Sequence, residues 1–341
     1  MLAAACLYWV FHGTDWRAFL GDIESINWLW AALGIAASAL SFVVHGFRWR
    51  LLLKPLGRIP VMRTTQAVYC GILVNDILPM SFGEITRAYV VSVCMKRDFV
   101  SVIPSVILER VFEAVWLAVG IGVTALNVPL PNDLRRAADV FGVIVLLLVG
   151  LVLTAALRRK RPGREKIRTG KGWQTKPVRW VSSLFARLGD GFRSIGLSRD
   201  LAVAFLLSLV VFLFQAASLW FFMLAYGLRL SLPACAAVYF ITLFGTALPI
   251  APASIGTYQF FCFVALTLFK IDKTTAAGFS LVAYVFMTLP LLALGIFALS
   301  KSGMTLSVLR ERISRLKLRR GPAGRGQALP PSPGTESRSC P

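Results

Sequence analysis

The strongest constraint on this chain is a recurring run of about twenty apolar residues, the length a helix needs to cross roughly 30 Å of hydrocarbon. The clearest run is Trp28 to about Phe47, opened by Trp28 and Trp30 as an interfacial aromatic belt and closed by Arg48, Trp49 and Arg50. Others cover about 100–126, 138–157, 201–225 and 275–299. A mean hydropathy of +0.70 with 16% charged residues excludes a soluble globular domain, which needs far more surface charge. At that length per crossing, 341 residues allow about seven to nine spans and little else. The predicted fold class is all-α, a polytopic transmembrane helix bundle of about seven or eight spans over residues 1–300, with two Pro-broken re-entrant segments in 64–98 and 234–270. A basic tail, disordered from roughly 320 onward, follows over 301–341.

The first apolar run, Met1 to Phe11, is only about 16 Å long as a helix, too short to cross. It has neither a basic start nor a small-residue cleavage site, so it does not read as a signal peptide; a first crossing that begins upstream of Met1 is expected. Residues 12–27 are mixed in charge and suit the outer face.

The charge is unevenly placed. Segments 48–63, 158–199 and 301–341 hold 27 of the 37 Lys and Arg and only four acids, Glu165, Asp190, Glu311 and Glu336. Basic clusters between apolar runs mark cytoplasmic loops under the positive-inside rule and attract anionic lipid. The net charge of +21 is therefore read as topology and membrane attraction, with no nucleic-acid partner. Loop 158–199 includes Trp173 and Trp180, and an interfacial helix is expected near 177–195.

Cys6, Cys70, Cys94, Cys235, Cys262 and Cys340 form no CxxC, and most lie in apolar runs, so neither a metal site nor a disulfide framework is expected. His12 and His45 lack ligand spacing and read as interfacial residues. No cofactor motif or nucleotide-binding P-loop is present.

Two apolar stretches are interrupted. Residues 75–84 run Asn75, Asp76, Ile77, Leu78, Pro79, Met80, Ser81, Phe82, Gly83, Glu84; residues 248–256 run Leu248, Pro249, Ile250, Ala251, Pro252, Ala253, Ser254, Ile255, Gly256. Both carry Leu-Pro and then Ser-x-Gly. Proline removes a backbone donor and glycine permits positive φ, so each stretch should break a helix. The freed polar groups must face protein or water rather than lipid. Paired breaks in two halves point to a site at the interface of repeats, compatible with an inverted repeat. Alternation of sides from a cytoplasmic 48–63 makes 64–98 a re-entrant pair.

Ionisable residues stranded in apolar runs are costly and must be paired or line a wet cavity. Glu109 and Glu113 share a helical face, with Arg110 about 100° around from Glu109. Glu84 and Arg87, three apart, are placed to form a local ion pair, and Asp76 to accept N–H groups freed at the Leu-Pro break.

Four segments taken in order resemble a flippase-like family, the membrane region of lysylphosphatidylglycerol synthases and its stand-alone relatives. They are Gly46-Phe47-Arg48-Trp49-Arg50-Leu51-Leu52-Leu53; Asn75 with Leu78-Pro79, Gly83-Glu84, Arg87 and Ala88; Leu108-Glu109-Arg110-Val111-Phe112-Glu113; and Leu248-Pro249-Ile250 with Pro252, Ser254, Ile255 and Gly256. The likeness extends over about residues 1–300. It implies a bacterial inner-membrane protein that moves a polar lipid, or helps it move, between leaflets. The lipid classes implied are aminoacylated phospholipids, polyprenol-linked sugars and hopanoids. The matching positions are Arg48, Asn75, Pro79, Gly83, Glu84, Arg87, Glu109, Arg110, Pro249, Pro252 and Gly256. Asp76, Glu113 and Gln259 complete the expected lipid path. Gln259 stands where the family usually has an acid, and Glu113 where it favours Asp. The synthases carry a large soluble domain after the membrane region; only about 40 basic, low-complexity residues follow here, so no aminoacyl transfer, and no enzymatic activity, is expected. Two rival readings are a scaffold that recruits envelope-lipid enzymes through its basic loops, and a membrane-embedded lipid-sugar transferase using Glu109 or Glu113 as base.

Overall fold

A computed structural model describes residues 2–77, 82–128, 131–157, 198–247 and 252–301. The described chain is helical throughout, with no strand. The described residues form eleven α-helices: α1 Leu2–Phe11, α2 Trp16–Glu24, α3 Trp28–Leu53, α4 Val61–Ile77, α5 Phe82–Cys94, α6 Phe99–Asn127, α7 Asn132–Leu157, α8 Arg199–Ala225, α9 Leu232–Thr246, α10 Thr257–Leu268 and α11 Lys273–Lys301. Among them α3, α8 and α11 are long and apolar enough to cross a membrane. Helices α6 and α7, of 29 and 26 residues, match them in length, and α7 presents Val140, Val143, Ile144, Leu147 and Leu151 outward, as a lipid-facing helix should. The architecture is a helical membrane bundle.

The elements differ from the sequence reading mainly at their ends. The first crossing continues through its basic cluster to Leu53, and Asp15 caps a helix inside the stretch expected to be an outer loop, accepting from the Arg17 and Ala18 N–H groups. The basic loop, its expected interfacial helix near 177–195 and the tail beyond 301 lie outside the described residues.

The bundle is organised on an antiparallel pair, α3 against α8. The Asn27 N–H donates to the Ala225 carbonyl at 2.9 Å, Ser218 Oγ to the Gly34 carbonyl at 2.8 Å, and Lys54 pairs with Asp200 at 2.8 Å. These contacts join the start of each helix to the end of the other. The buried stripe of α3 advances in steps of three and four through Ala31, Gly34, Ser38, Ser41, His45, Arg48 and Leu52. Small residues permit close approach without a hydrophobic driving force, and a Cβ at Gly34 would collide with the Phe222 ring.

Each member of this pair is followed by two short helices and one long helix. Helices α4 and α5 double back on one another: continuing one helix from Gly71 to Gly83 would separate them by about 18 Å, yet the Gly71 carbonyl oxygen occupies the place a Cβ on Gly83 would take. Helices α9 and α10 do the same, with the Phe261 ring filling the space beside Gly245. The cross-packing is reciprocal, since α4 lies on α11 and α9 lies on α6. The units α3–α6 and α8–α11 therefore correspond in order, and their first helices run in opposite directions. This is the inverted arrangement that the paired breaks foreshadow.

At the first hairpin, Asn75 Oδ1 accepts the Gly83 N–H at 2.7 Å; at the second, Gln259 Oε1 accepts the Gly256 N–H at 2.7 Å. A side-chain amide thus satisfies a backbone donor freed at each break. Asp76, expected in that role, is displaced from it because the neighbouring Asn75 is the one turned toward α5. Chain reversal at the second tip uses left-handed backbone at Ala253 (φ +50°), Ser254 (φ +55°) and Gly256 (φ +85°), and the Tyr284 hydroxyl holds it by donating to the Ala253 carbonyl at 2.9 Å. Pro79 and Pro249 lie outside the described residues; Pro252 opens a short 3₁₀ turn ending at Ser254.

Gly83→Ala should destabilise the protein by about 1–3 kcal/mol, because the new methyl group must displace backbone. Gly122→Ala, which faces open space in α6, should be neutral or slightly stabilising. Thermal unfolding of the two variants in detergent checks the contrast.

Candidate functional site

The stripe of small residues on α3 ends in His45 and Arg48, which the helix carries into the interior beside α6. Arg48 and Glu109 are both 0% exposed. Arg48 Nη2 lies 2.6 Å from Glu109 Oε1 and 2.7 Å from Glu113 Oε1, while its Nη1 donates to Ser208 Oγ at 3.0 Å. One guanidinium thus separates two carboxylates that would otherwise repel along α6. Arg87, from α5, places Nη2 2.6 Å from Glu109 Oε2 and lies over the Trp49 ring, 5.0 Å from its centroid. Trp49 is itself held by its Nε1, which donates to Ser105 Oγ at 3.1 Å.

The expected local pair between Glu84 and Arg87 is not formed. Arg87 turns inward to the buried Glu109, and Glu84 pairs instead with Arg110, whose Nη1 also donates to Glu113 Oε2 at 2.6 Å. A desolvated carboxylate offers an arginine a stronger interaction than a half-exposed neighbour one turn away. The result is a balanced network of three arginines (48, 87, 110) and three glutamates (84, 109, 113).

His45 belongs to this network and not to the interface where its sequence context places it. Its Nε2 lies 2.6 Å from Glu109 Oε1 and 2.9 Å from Arg87 Nη1, so the tautomer decides whether it donates to the acid or accepts from the arginine. Its spacing of three from Arg48, on the stripe that includes Ser38 and Ser41, is the signal that could have found it. Ser208 and Gln215, on α8, had no such signal. His45, Glu109 and Glu113 stand close enough to suggest a metal site, with candidate ligand atoms within 4.8 Å of one another. Arg48 already occupies the space between the two carboxylates, and its charge opposes a second cation there.

The network is graded from sealed to open. Arg110 is 48% exposed at its side chain, Glu84 25% and Glu113 21%, and all three face a cavity of about 640 Å³. This cleft lies between the halves, bounded by α3–α6 on one side and by α8, α9 and the second hairpin tip on the other. Asp76 stands between it and a smaller pocket of about 190 Å³ lined by Tyr239, Tyr258 and Tyr284. The predicted residues therefore divide. Asp76, Gly83, Glu84, Arg87, Arg110 and Glu113 line the cleft together with Asn75, whereas Arg48 and Glu109 support it from beneath. Gly256 and Gln259 shape the second tip without facing either space.

Glu109→Gln should lower folded stability by about 3 kcal/mol or more, since Arg48 and Arg87 would keep buried charge without its partner. Arg110→Gln, at a half-exposed site, should change stability by no more than about 1 kcal/mol. Yield of monodisperse protein and unfolding temperature distinguish the two.

No curated protein matches the chain. The family described as the lysylphosphatidylglycerol synthase TM region matches residues 1–295, which take in both hairpins, the ion network and the cleft. The chain belongs to that family, the membrane region associated with lysylphosphatidylglycerol synthases.

Proposed function

We propose that the cleft receives the polar headgroup of a lipid and that the protein translocates it, or assists its translocation, between leaflets. The observation that supports this most is the half-exposed cluster of Arg110, Glu84 and Glu113 opening on a headgroup-sized space where two inverted hairpins meet. A charged headgroup crossing hydrocarbon needs polar partners to replace its water. Arg110 can offer a phosphate its guanidinium, and Glu84 and Glu113 can take an amine or sugar hydroxyls. Exchange of these partners lets a headgroup enter without leaving a bare charge behind. The acyl chains would stay in lipid.

Arg48 has no part in first capture, because it is fully buried and its two Nη groups are engaged by Glu109, Glu113 and Ser208; it holds Glu113 and Glu109 in place. Capture at the membrane surface falls to Arg50 and the basic loop 158–199. By the positive-inside rule these face the cytoplasm of a bacterial inner membrane, where anionic lipids are the first partners. The resemblance brings aminoacylated phospholipids, polyprenol-linked sugars and hopanoids as substrate classes; envelope-lipid biosynthetic enzymes are the partners a scaffold would recruit through the basic loops, and nucleic acid is not a partner. We assign no enzymatic activity: Glu109 and Glu113, the candidate bases of a transferase, are both engaged by arginines and are not free to act on a substrate.

Purified protein in liposomes should accelerate flip of a fluorescent phospholipid over protein-free vesicles, and Arg110→Ala combined with Glu84→Ala should reduce the rate at least tenfold, roughly the loss of one charge-assisted contact. Flip by a folded double variant at the wild-type rate removes the headgroup site from this cluster. A scaffold would tolerate that change and lose partner co-purification when 158–199 is neutralised.

A further inference from the structure

Asp76 is the acid that the arginines leave over. Glu84, Glu109 and Glu113 each sit against a guanidinium, whereas no described Lys, Arg or His side chain pairs with Asp76. Counting Asp76, four carboxylates face three arginines around the cleft. Asp76 is also the penultimate residue of α4, so its charge adds to the negative pole of that helix. A second helix C-terminus, that of α9 at Thr246, reaches the same space. Two negative helix ends and an uncompensated carboxylate thus converge, a combination that repels anions and stabilises a cation.

The groups around Asp76 are hard oxygen donors. Thr246, Ser254 and Gln215 line both the cleft and the smaller pocket alongside it, and each carries a side-chain oxygen. One carboxylate and neutral oxygens suit a single positive charge; a divalent ion ordinarily takes several carboxylates. We propose that Asp76 and the oxygen-lined space beside Thr246, Ser254 and Gln215 bind a small monovalent cation, a proton or a sodium ion. Its binding neutralises the excess charge among the described residues of the cleft and draws the ends of α4 and α9 together. A cation gradient thereby acquires a hold on the gap between the halves.

Other titratable groups face this space and have to be separated from Asp76. They are His45 on α3, Glu84 and Arg87 on α5, Arg110 and Glu113 on α6, Tyr239 on α9, Tyr258 on α10 and Tyr284 on α11; α8 contributes only the neutral Gln215. The phenols stay protonated over the pH range used, the two glutamates are held by arginines, and His45 is the remaining group to be separated from Asp76.

The test is thermal unfolding of the full chain in detergent, in choline chloride at about pH 8. Sodium chloride replaces choline at equal ionic strength in one arm, and the pH falls to about 5.5 in the other. A rise in Tm of about 3 °C or more in the first arm assigns sodium, and in the second alone a proton. Asp76→Asn should raise the Tm in choline at about pH 8, by relieving the unpaired charge, and should abolish the response. A wild type that responds in neither arm overturns the site whether or not the variant folds. A response of equal size in Asp76→Asn overturns it too and moves the response to His45. The cation site can stand without lipid transport: flip that persists without a cation response refutes this site alone, and a cation response without flip refutes the headgroup reading alone.

Discussion

The buried pairing of Glu109 with Arg48 and Arg87 is the interaction on which the rest of the molecule depends. It ties α3, α5 and α6 together at one point, and through Ser208 it reaches α8. Taking these charges out of water costs several kcal/mol each, returned only while the geometry remains intact. That cost makes the network a poor general adhesive but a strict specifier, because any packing that separates the partners leaves a bare charge in a low-dielectric interior. The small residues of the α3–α8 seam serve the same end by allowing the helices close enough for Arg48 to reach Ser208 on α8.

The two halves share a backbone plan but not a chemistry. Among the described residues, every charged group lining the cleft comes from α3–α6, while α8–α11 contribute hydroxyls, Gln215 and three phenols. An inverted repeat of this kind provides two hairpins that line one cleft, the first with charged groups and the second with neutral ones among the described residues. The neutral half can accompany a headgroup through hydrogen bonds without trapping it in an ion pair. Gln259 illustrates the difference. Its amide accepts the Gly256 N–H and adds no charge to the second tip.

Much of this was legible in the sequence because bilayer-crossing helices and backbone breaks are local properties. The apolar runs predicted α3, α6, α8 and α11 to within a few residues of most ends, and the Leu-Pro and Ser-x-Gly echo located both hairpins. Partner choice is not local, and there sequence reasoning failed. Glu84 and Arg87 are well spaced for each other, yet α6 brings each a different partner. His45 looked interfacial because nothing nearby shows that its helix face turns inward, although its register with Arg48 carries that information. The proximity of Asn75 to Gly83 and the isolation of Asp76 depend on how α4 and α5 fold back, which no pattern of residue types specifies.

The central claim is that water and headgroups reach a polar cleft between the two hairpin tips. Its most direct test is labelling with a charged, membrane-impermeant methanethiosulfonate in membranes, using single cysteines in a background where the native ones are replaced. Ser254→Cys and Thr246→Cys, on the wall opposite the arginines, should react readily, while Ala277→Cys, fully buried in α11, should not. If Ser254→Cys and Thr246→Cys are as unreactive as Ala277→Cys, the charges lie in a dry bundle and the account is wrong.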